Sequence, residues 1–186
     1  MDVTRILEAD HRSVEDLFKR IEKAEGQDCQ ALIDELAGAL TAHMELEERT
    51  LYPAMKSVTG SEAVEEGETE HQLARRCLND MLLLAPDAPG FGAALDAVKA
   101  GVEHHVKDEE EEVFPQLRRD GEATLAEVAT PFMSLRLELG LPMRADALAA
   151  ACTRDELVDE ATRAGVEVTS DMTKAELSEA LVNVMV

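Results

Sequence analysis

Apolar residues recur every three to four positions along the first 120 residues, the spacing that places them on one face of an α-helix. The pattern predicts four helices, at about 3–24, 29–57, 61–85 and 90–118. The segments between them are short and rich in Gly, Pro, Ser, Thr and Asp, as in turns between antiparallel helices. The sequence therefore predicts an all-α fold built on an up-down-up-down four-helix bundle.

The pattern changes after Asp120. A glycine break at Gly121 precedes a further predicted helix at about 123–138, which a Gly-Leu-Pro stop ends. Beyond it, Thr153 and Thr173 each stand three residues before a glutamate, the capping-box spacing that opens a helix, and residues 165–168 are expected to be extended between the two helices. We expect a bundle at 1–120, a connecting helix at 121–140 and a small C-terminal helical module, helix-extended-helix, at 141–186.

Each of the four predicted apolar faces contains one histidine, where an apolar residue would be expected. An imidazole left without a partner in a core costs about 1–3 kcal/mol, so something must compensate. One such histidine would most simply be hydrogen-bonded to a carbonyl or a carboxylate. Four of them, one on each helix, favour a shared ligand role instead. The four are His11, His43, His71 and His105.

Two of these histidines are followed four residues later by a glutamate. Residues at i and i+4 share one helix face, so His43 with Glu47, and His105 with Glu109, point toward the bundle axis. Four imidazoles and two carboxylates without a thiolate suit iron or manganese, and suit zinc less well. Two octahedral ions sharing both carboxylates and one oxygen bridge would have six terminal positions. Four histidines would leave up to two of them open.

The two pairs belong to a repeated motif, H-x3-E-E-x2-[LV]-[YF]-P, at 43–53 and 105–115. With His11 and His71 it resembles the hemerythrin-like HHE cation-binding domain, over about residues 1–118. The resemblance implies a non-haem di-iron centre, oxo- or hydroxo-bridged, in which Glu47 and Glu109 bridge the ions and manganese is the alternative metal. Oxygen-carrying hemerythrins have a fifth histidine one turn before the third-helix ligand. Gly67 occupies that position here, which disfavours reversible oxygen carriage.

Glu68 is a further candidate ligand, because Glu68 and His71 have the E-x-x-H spacing of di-iron carboxylate enzymes. A solvated acid near a helix N-terminus is the other interpretation. A ferritin-like site would need a second E-x-x-H, and neither His104 nor His105 has one. We expect His104 on the surface.

The repeated motif contains three further features that bear on the structure. Pro53 and Pro115 are expected to kink or end their helices. Tyr52 faces away from His43 on an ideal helix; a kink could turn it inward, but packing in the core is the simpler expectation. Glu48 and Glu110 are either hydrogen-bond partners of the ligands or plain surface acids.

Charge and composition narrow the partners. The 186 residues include 40 acidic and 18 basic side chains, a formal net charge of −22 that repels nucleic acid and anionic membranes. The tail resembles small Rho N-terminal or SAP-like modules, yet it has four basic against nine acidic residues, so it is expected to bind a protein partner or to serve only as a folding or solubility cap. The chain shows no signal-peptide pattern and no long apolar run, and three scattered cysteines predict no disulfide framework. A cytoplasmic location is expected.

These observations predict a cytoplasmic di-iron protein that binds or processes peroxide, dioxygen or nitric oxide in oxidative or nitrosative stress. Catalase-like peroxide breakdown is the enzymatic form of this hypothesis. The alternative is a non-catalytic iron or oxygen sensor, or an interaction protein, whose metal centre is structural.

Overall fold

The computed structural model describes residues 1–185, and every regular element within that range is helical, as predicted. Two π-helical turns, Glu47–Leu51 and Glu109–Val113, each join two consecutive α-helices. The helices are α1 (Val3–Ile21), α2 (Gly26–Leu46), α3 (Tyr52–Thr59), α4 (Ser61–Leu82), α5 (Phe91–Asp108), α6 (Phe114–Asp120), α7 (Glu122–Glu138), α8 (Ala145–Ala151), α9 (Arg154–Arg163) and α10 (Lys174–Met185).

Four rods make up the bundle: α1, the continuous α2–α3, α4, and the continuous α5–α6. The first rod packs on α2 and α4 packs on α5, with α3 also against α4. A side-chain cap and glycine turns determine where several of these helices begin and end. Asp2 caps α1 by accepting the backbone N–H of Thr4 at 3.1 Å. Gly60 and Gly90 turn the chain with φ of 90° and 98°, a region that residues with a Cβ rarely adopt.

The prediction that Pro53 and Pro115 kink or end their helices was wrong about where the irregularity lies. The irregularity lies before each proline, where the backbone N–H of Tyr52 donates to the carbonyl of Glu47 and that of Phe114 to the carbonyl of Glu109. These bonds span five residues, so the turn is wider than an α-turn. Each proline then takes the start of the next helix, where a missing N–H costs little.

Two separate apolar cores occupy the two ends of the bundle. One contains the C-terminal half of α1, most of α2, the C-terminal half of α4 and the start of α5, and is formed around Phe18, Leu36 and Val98. The other contains the start of α1, the helices after the π turns and the C-terminal helices, around Leu7, Phe114 and Phe132. A layer of buried polar side chains lies between the two, so any ligand in this layer is enclosed by apolar packing on both sides.

The C-terminal helices pack on the bundle. Leu148 and Leu181 belong to the same core as Leu7, and the backbone N–H of Asp2 donates to the carbonyl of Ala151 at 2.6 Å. Both predicted capping boxes are confirmed: Thr153 and Glu156, and Thr173 and Glu176, exchange the two bonds of that motif. Residues 165–168 lie outside any helix, but Gly165, with φ of 76°, is part of a turn rather than of the extended segment that was expected. Within residues 1–185, no helix is both long and apolar enough to cross a membrane.

Candidate metal centre

The four predicted histidines meet in the polar layer as two pairs. The Nε2 atoms of His11 and His43 are 3.2 Å apart, and those of His71 and His105 are 3.0 Å apart. Two ligand atoms that each lie about 2.1 Å from one ion, at a right angle, are about 3 Å apart. Each pair therefore has the spacing of two ligands on a single metal ion.

Glu47 and Glu109 lie between the two pairs. Glu47 Oε1 is 3.4 Å from His43 Nε2, and its Oε2 is 3.2 Å from His71 Nε2. Glu109 Oε2 is 3.5 Å from His11 Nε2 and 3.6 Å from His105 Nε2. Each carboxylate thus touches one histidine from each pair, which is the arrangement of a carboxylate that bridges two ions. We refer to these four histidines and two glutamates as the metal layer.

The two carboxylates lack hydrogen-bond partners. Glu47 is 0% exposed and Glu109 is 3% exposed, and none of their four oxygens accepts a hydrogen bond. Carboxylates buried in this way are strongly destabilising unless paired or bound to a metal. The nitrogen and oxygen donors of the metal layer fit a pair of metal ions, which would satisfy all four oxygens at once.

Every histidine of the metal layer has a carboxylate on the outer side of its ring. Glu110, Glu48 and Glu70 contact the Nδ1 atoms of His11, His71 and His105 at 2.8, 3.0 and 2.9 Å. The fourth, Asp10, is 3.8 Å from His43 Nδ1, too far for a hydrogen bond. Carboxylates that accept the Nδ1 proton, as the other three do, fix the ring orientation and the tautomer that leaves Nε2 free to bind metal. We refer to Asp10, Glu48, Glu70 and Glu110 as the outer carboxylates.

Arginines hold three of the four outer carboxylates. Arg12 bonds Glu110, and Arg75 bonds Glu48 through two hydrogen bonds of 2.7 and 2.9 Å. The third is Arg136 on α7, which is 2% exposed and donates two hydrogen bonds to Asp10 and one to the carbonyl of Pro142. A residue outside the repeated motif therefore fixes part of the surroundings of the metal layer.

An aromatic ring from the residue after each π turn packs on the metal layer. Phe114 stacks on His11, and Tyr52 stacks on His71 with its hydroxyl 3.2 Å from His71 Nε2. Tyr52 is buried, as expected, but core packing is only part of its role: the π turn directs its hydroxyl to the metal layer. The two halves of the layer therefore differ by one phenolic oxygen.

Gly67 makes room for this tyrosine. A Cβ placed on Gly67 would lie 2.7 Å from the Tyr52 hydroxyl oxygen and 3.0 Å from the adjacent ring carbon. The position that carries a histidine in oxygen-carrying hemerythrins thus faces the tyrosine ring here. The ring occupies space that a side chain at position 67 would need.

We expect Gly67→Ala to destabilise the protein by about 1–3 kcal/mol, the usual cost of overpacking a filled core. Gly101→Ala is the matched control, because Gly101 is also helical but a Cβ there would have no neighbour within 4 Å, so alanine should stabilise by about 0.5–1 kcal/mol. Urea unfolding of the two variants and the parent measures both values. Equal effects at the two glycines would contradict the packing argument.

The charges of the metal layer are strongly coupled. Burial alone would raise the pKa of Glu47, but the charge on His43 and the proximity of His105 and His71 hold it well below its usual value. Burial disfavours charged His11, yet Glu109 and Glu110 raise its pKa to about 9, and Glu109 with Glu47 and Glu70 raises the pKa of His105 well above 6.5. The buried glutamates thus favour the protonated forms of His11 and His105.

The stability of the metal-free protein should therefore depend on pH. Because the pKa of folded His11 is about 9 and its ordinary value is 6.5, its stabilising contribution is fully present below pH 6.5 and is lost as the pH rises through 9. We expect the free energy of unfolding to fall by on the order of 2 kcal/mol over this interval. Urea unfolding at pH 6.5 and 9.5 measures it. The fall should shrink in His11→Gln but not in the surface variant His104→Gln; a fall of the same size in His11→Gln would refute the assignment.

The structure brings together six of the seven predicted ligands. Glu68 is exposed on α4 and does not reach the metal layer, because the buried face of α4 passes through Val64, Gly67 and His71. Gly67, against which Tyr52 packs, lies on the buried face one turn before His71. The E-x-x-H spacing had suggested Glu68 for that position. His104 is on the surface, as expected. Glu48 and Glu110 are hydrogen-bond partners of the ligands, which resolves that alternative.

Sequence reasoning missed Asp10, Glu70 and Arg136. A signal existed for the first two, because each acid directly precedes a ligand, in Asp10-His11 and Glu70-His71. No comparable signal marks Arg136, which is separated from Asp10 by 126 positions.

Comparisons with known proteins agree with this geometry. A family model described as the hemerythrin HHE cation binding domain matches residues 2–117. A curated protein of Nostoc sp. described as a DNA nickase is 29% identical over 121 residues, which are 64% of this chain and 34% of that protein. The chain thus spans about a third of the length of this relative.

Among solved structures, a hemerythrin HHE cation binding domain-containing protein from Mycobacterium kansasii has a similar fold. The TM-score is 0.62, with 18% sequence identity, over 97% of this chain and 99% of that one. The fold similarity therefore includes the C-terminal helices as well as the bundle.

Proposed function

Because this chain belongs to the hemerythrin HHE cation-binding family, as its repeated motif predicted, we propose that its metal layer holds two iron ions. His11 and His43 would bind one ion, His71 and His105 the other, and Glu47 with Glu109 would bridge them. The observation that carries this proposal is the set of four buried carboxylate oxygens without partners, enclosed by four imidazole nitrogens. Manganese suits the same donors and is the alternative metal.

We further propose that the centre acts on a small oxidant, namely peroxide, dioxygen or nitric oxide, and that catalase-like breakdown of peroxide is its activity. Two bound irons would supply Lewis acidity and a ferrous–ferric couple for this chemistry. The protein contributes the enclosure. The other side chains that line a cavity beside the four histidines are apolar: Val14, Leu40, Met44, Ala74, Val102 and Val106.

Tyr52 is the group best placed to handle a proton. Burial and the negative charges of Glu47 and Glu109 raise the pKa of its hydroxyl, so the phenol keeps its proton. This hydroxyl lies 3.2 Å from His71 Nε2. With that nitrogen held as a metal ligand, the hydroxyl would be free to donate its hydrogen bond to a small molecule beside it.

DNA cleavage is not part of the proposal. The Nostoc relative has about two thirds of its length outside the matched region, and the activity in its name need not belong to the shared part. The net charge of −22 opposes binding to a phosphate backbone.

The test combines metal analysis with turnover. Iron-loaded parent is expected to contain two irons per chain, to absorb in the near ultraviolet as an oxygen-bridged ferric pair, and to evolve oxygen from hydrogen peroxide. Tyr52→Phe should keep both irons and lose turnover by about 10²-fold or more, the usual effect of removing a positioned acid. A parent that binds iron without turnover would favour the sensor alternative, and a parent that binds no metal would overturn the proposal.

A further inference from the structure

The two halves of the bundle are related by approximate twofold symmetry in their chemistry. Asp10-His11 on α1 corresponds to Glu70-His71 on α4, and the two copies of the repeated motif correspond to each other. In each half the acid before the histidine contacts the Nδ1 atom of the motif histidine, His43 or His105. Any difference between the two halves is therefore informative.

Glu70 differs from the other three outer carboxylates. Those three each pair with an arginine, and the symmetry-related acid, Asp10, pairs with Arg136. Among the described residues, the ion-pair partners of Glu70 are His105 and His104 only, neither of them a permanent cation. In the half that contains Glu70, the exposed ring of His104 lies beside the carboxylate where the other half has a guanidinium.

Three potential metal ligands surround this open place. Glu70 Oε2 bonds His105 Nδ1, which leaves its Oε1 facing His104 Nε2 at 3.4 Å. Asp108 Oδ2 is 3.8 Å from the same nitrogen, and one ligand atom from each of the three residues lies within 4.8 Å of the others. The side chains of His104 and Asp108 are 64% and 37% exposed, so ions from solution can reach them.

A cavity leads from this cluster to the metal layer. Its outer walls include Glu70 and Asp108, and its inner walls include His105, Glu109 and Tyr52. Glu109, at 3% exposure and with both oxygens unpartnered, lines this same cavity. The cavity therefore connects the surface cluster with one of the two buried carboxylates of the metal layer.

We propose that Glu70, His104 and Asp108 form a peripheral site for a divalent cation, which captures ferrous iron at the surface for transfer along the cavity to Glu109 and His105. Two carboxylates and one imidazole are suitable donors for such an ion, and three ligands leave positions for water, so binding is weak and exchangeable. The acidic run from Asp108 to Glu112 concentrates cations near the opening. The transfer role rests on the proposed di-iron function; cation binding at the surface does not.

The peripheral site is tested first by manganese binding to iron-loaded protein, in which the metal layer is already filled. Titration followed by electron paramagnetic resonance should detect one additional Mn²⁺ per chain in the parent. The double variant His104→Gln/Asp108→Asn should lose it. Glu111→Gln, which removes one acid from the same exposed run without touching the cluster, should keep it. Absence of additional Mn²⁺ in the parent, or its retention in the double variant, would show that His104 is only a counter-ion for Glu70.

Transfer is tested by the rate of iron uptake. Metal-free protein is mixed anaerobically with Fe²⁺ at low ionic strength, and iron that resists a strong chelator is measured over time. The double variant should reach the same final iron content as the parent about tenfold more slowly, and high salt should reduce the difference. Equal rates would overturn the transfer role. A parent that never acquires chelator-resistant iron would instead overturn the di-iron function; the peripheral site would then be tested by whether the metal-free double variant binds one Mn²⁺ fewer than the metal-free parent.

Discussion

Glu47→Gln is expected to remove the metal-binding ability of the chain almost completely. The amide keeps the shape of the side chain but loses the charge that would bind both ions, one through each oxygen. Replacing partners outside the ligand set usually weakens metal binding by about 10–100-fold, so loss of a bridging ligand should exceed that range. A hundredfold loss corresponds to about 2.7 kcal/mol of metal-dependent stability per ion. Iron content after gel filtration and melting temperature with and without iron measure the effect.

Glu45→Gln is the matched control, because it makes the same charge change two residues away on an exposed side chain paired with Arg49. It should keep full iron content and the full metal-dependent rise in melting temperature. His43→Ala should lose the ion on its own side of the layer first, whereas Glu47→Gln should affect both ions. Two irons per chain in Glu47→Gln would refute the bridging assignment.

Arg136→Met is expected to destabilise the protein by about 3–5 kcal/mol, the usual cost of removing one partner from a buried ion pair. The substitution leaves Asp10, whose side chain is only 13% exposed, without the two hydrogen bonds that hold it, and leaves the Pro142 carbonyl without its donor. Asp10 would then be free to move toward His43. Both the free energy of unfolding and iron affinity should change, although Arg136 touches no ligand.

A double-mutant cycle separates these effects. In Asp10→Asn/Arg136→Met no buried charge is left unpaired, so much of the stability lost in Arg136→Met should return. Iron affinity should not return with it, since His43 then lacks a charged outer partner. Urea unfolding and competition with a chelator provide the two readouts. Additive losses in stability would mean that the two side chains do not act as a pair.

The sequence was sufficient to predict the bundle and the burial of six candidate ligands in one layer, because both depend on helical periodicity. A histidine or glutamate on an apolar stripe faces inward whatever the details of packing, so the positions of His11 and Glu109 follow from their spacing alone. Helical periodicity could not predict that Glu68 would lie outside this layer. Residues three and four positions before His71 both lie one turn away, and only the ring of Tyr52 against Gly67 decides which of them is buried.

Other parts of the site depend on geometry that periodicity does not contain. Tyr52 lies nine positions after His43, about half a turn away on a regular helix, and it reaches the layer because the intervening turn is π-helical. Arg136 reaches Asp10 through the packing of α7 against α1, a contact between distant parts of the chain. Such contacts become visible only once the tertiary structure is known.

The polar layer between the two apolar cores also bears on how cooperatively the protein unfolds. Each core is contiguous within itself, and the charged layer separates them. Bound ions would tie all four rods together at this level, so that both ends of the bundle open in one transition. Without them, the end around Phe18 and Val98 can open while the end stabilised by the C-terminal helices stays folded. Amide hydrogen exchange would then report two protection levels in the metal-free chain and one in the loaded chain.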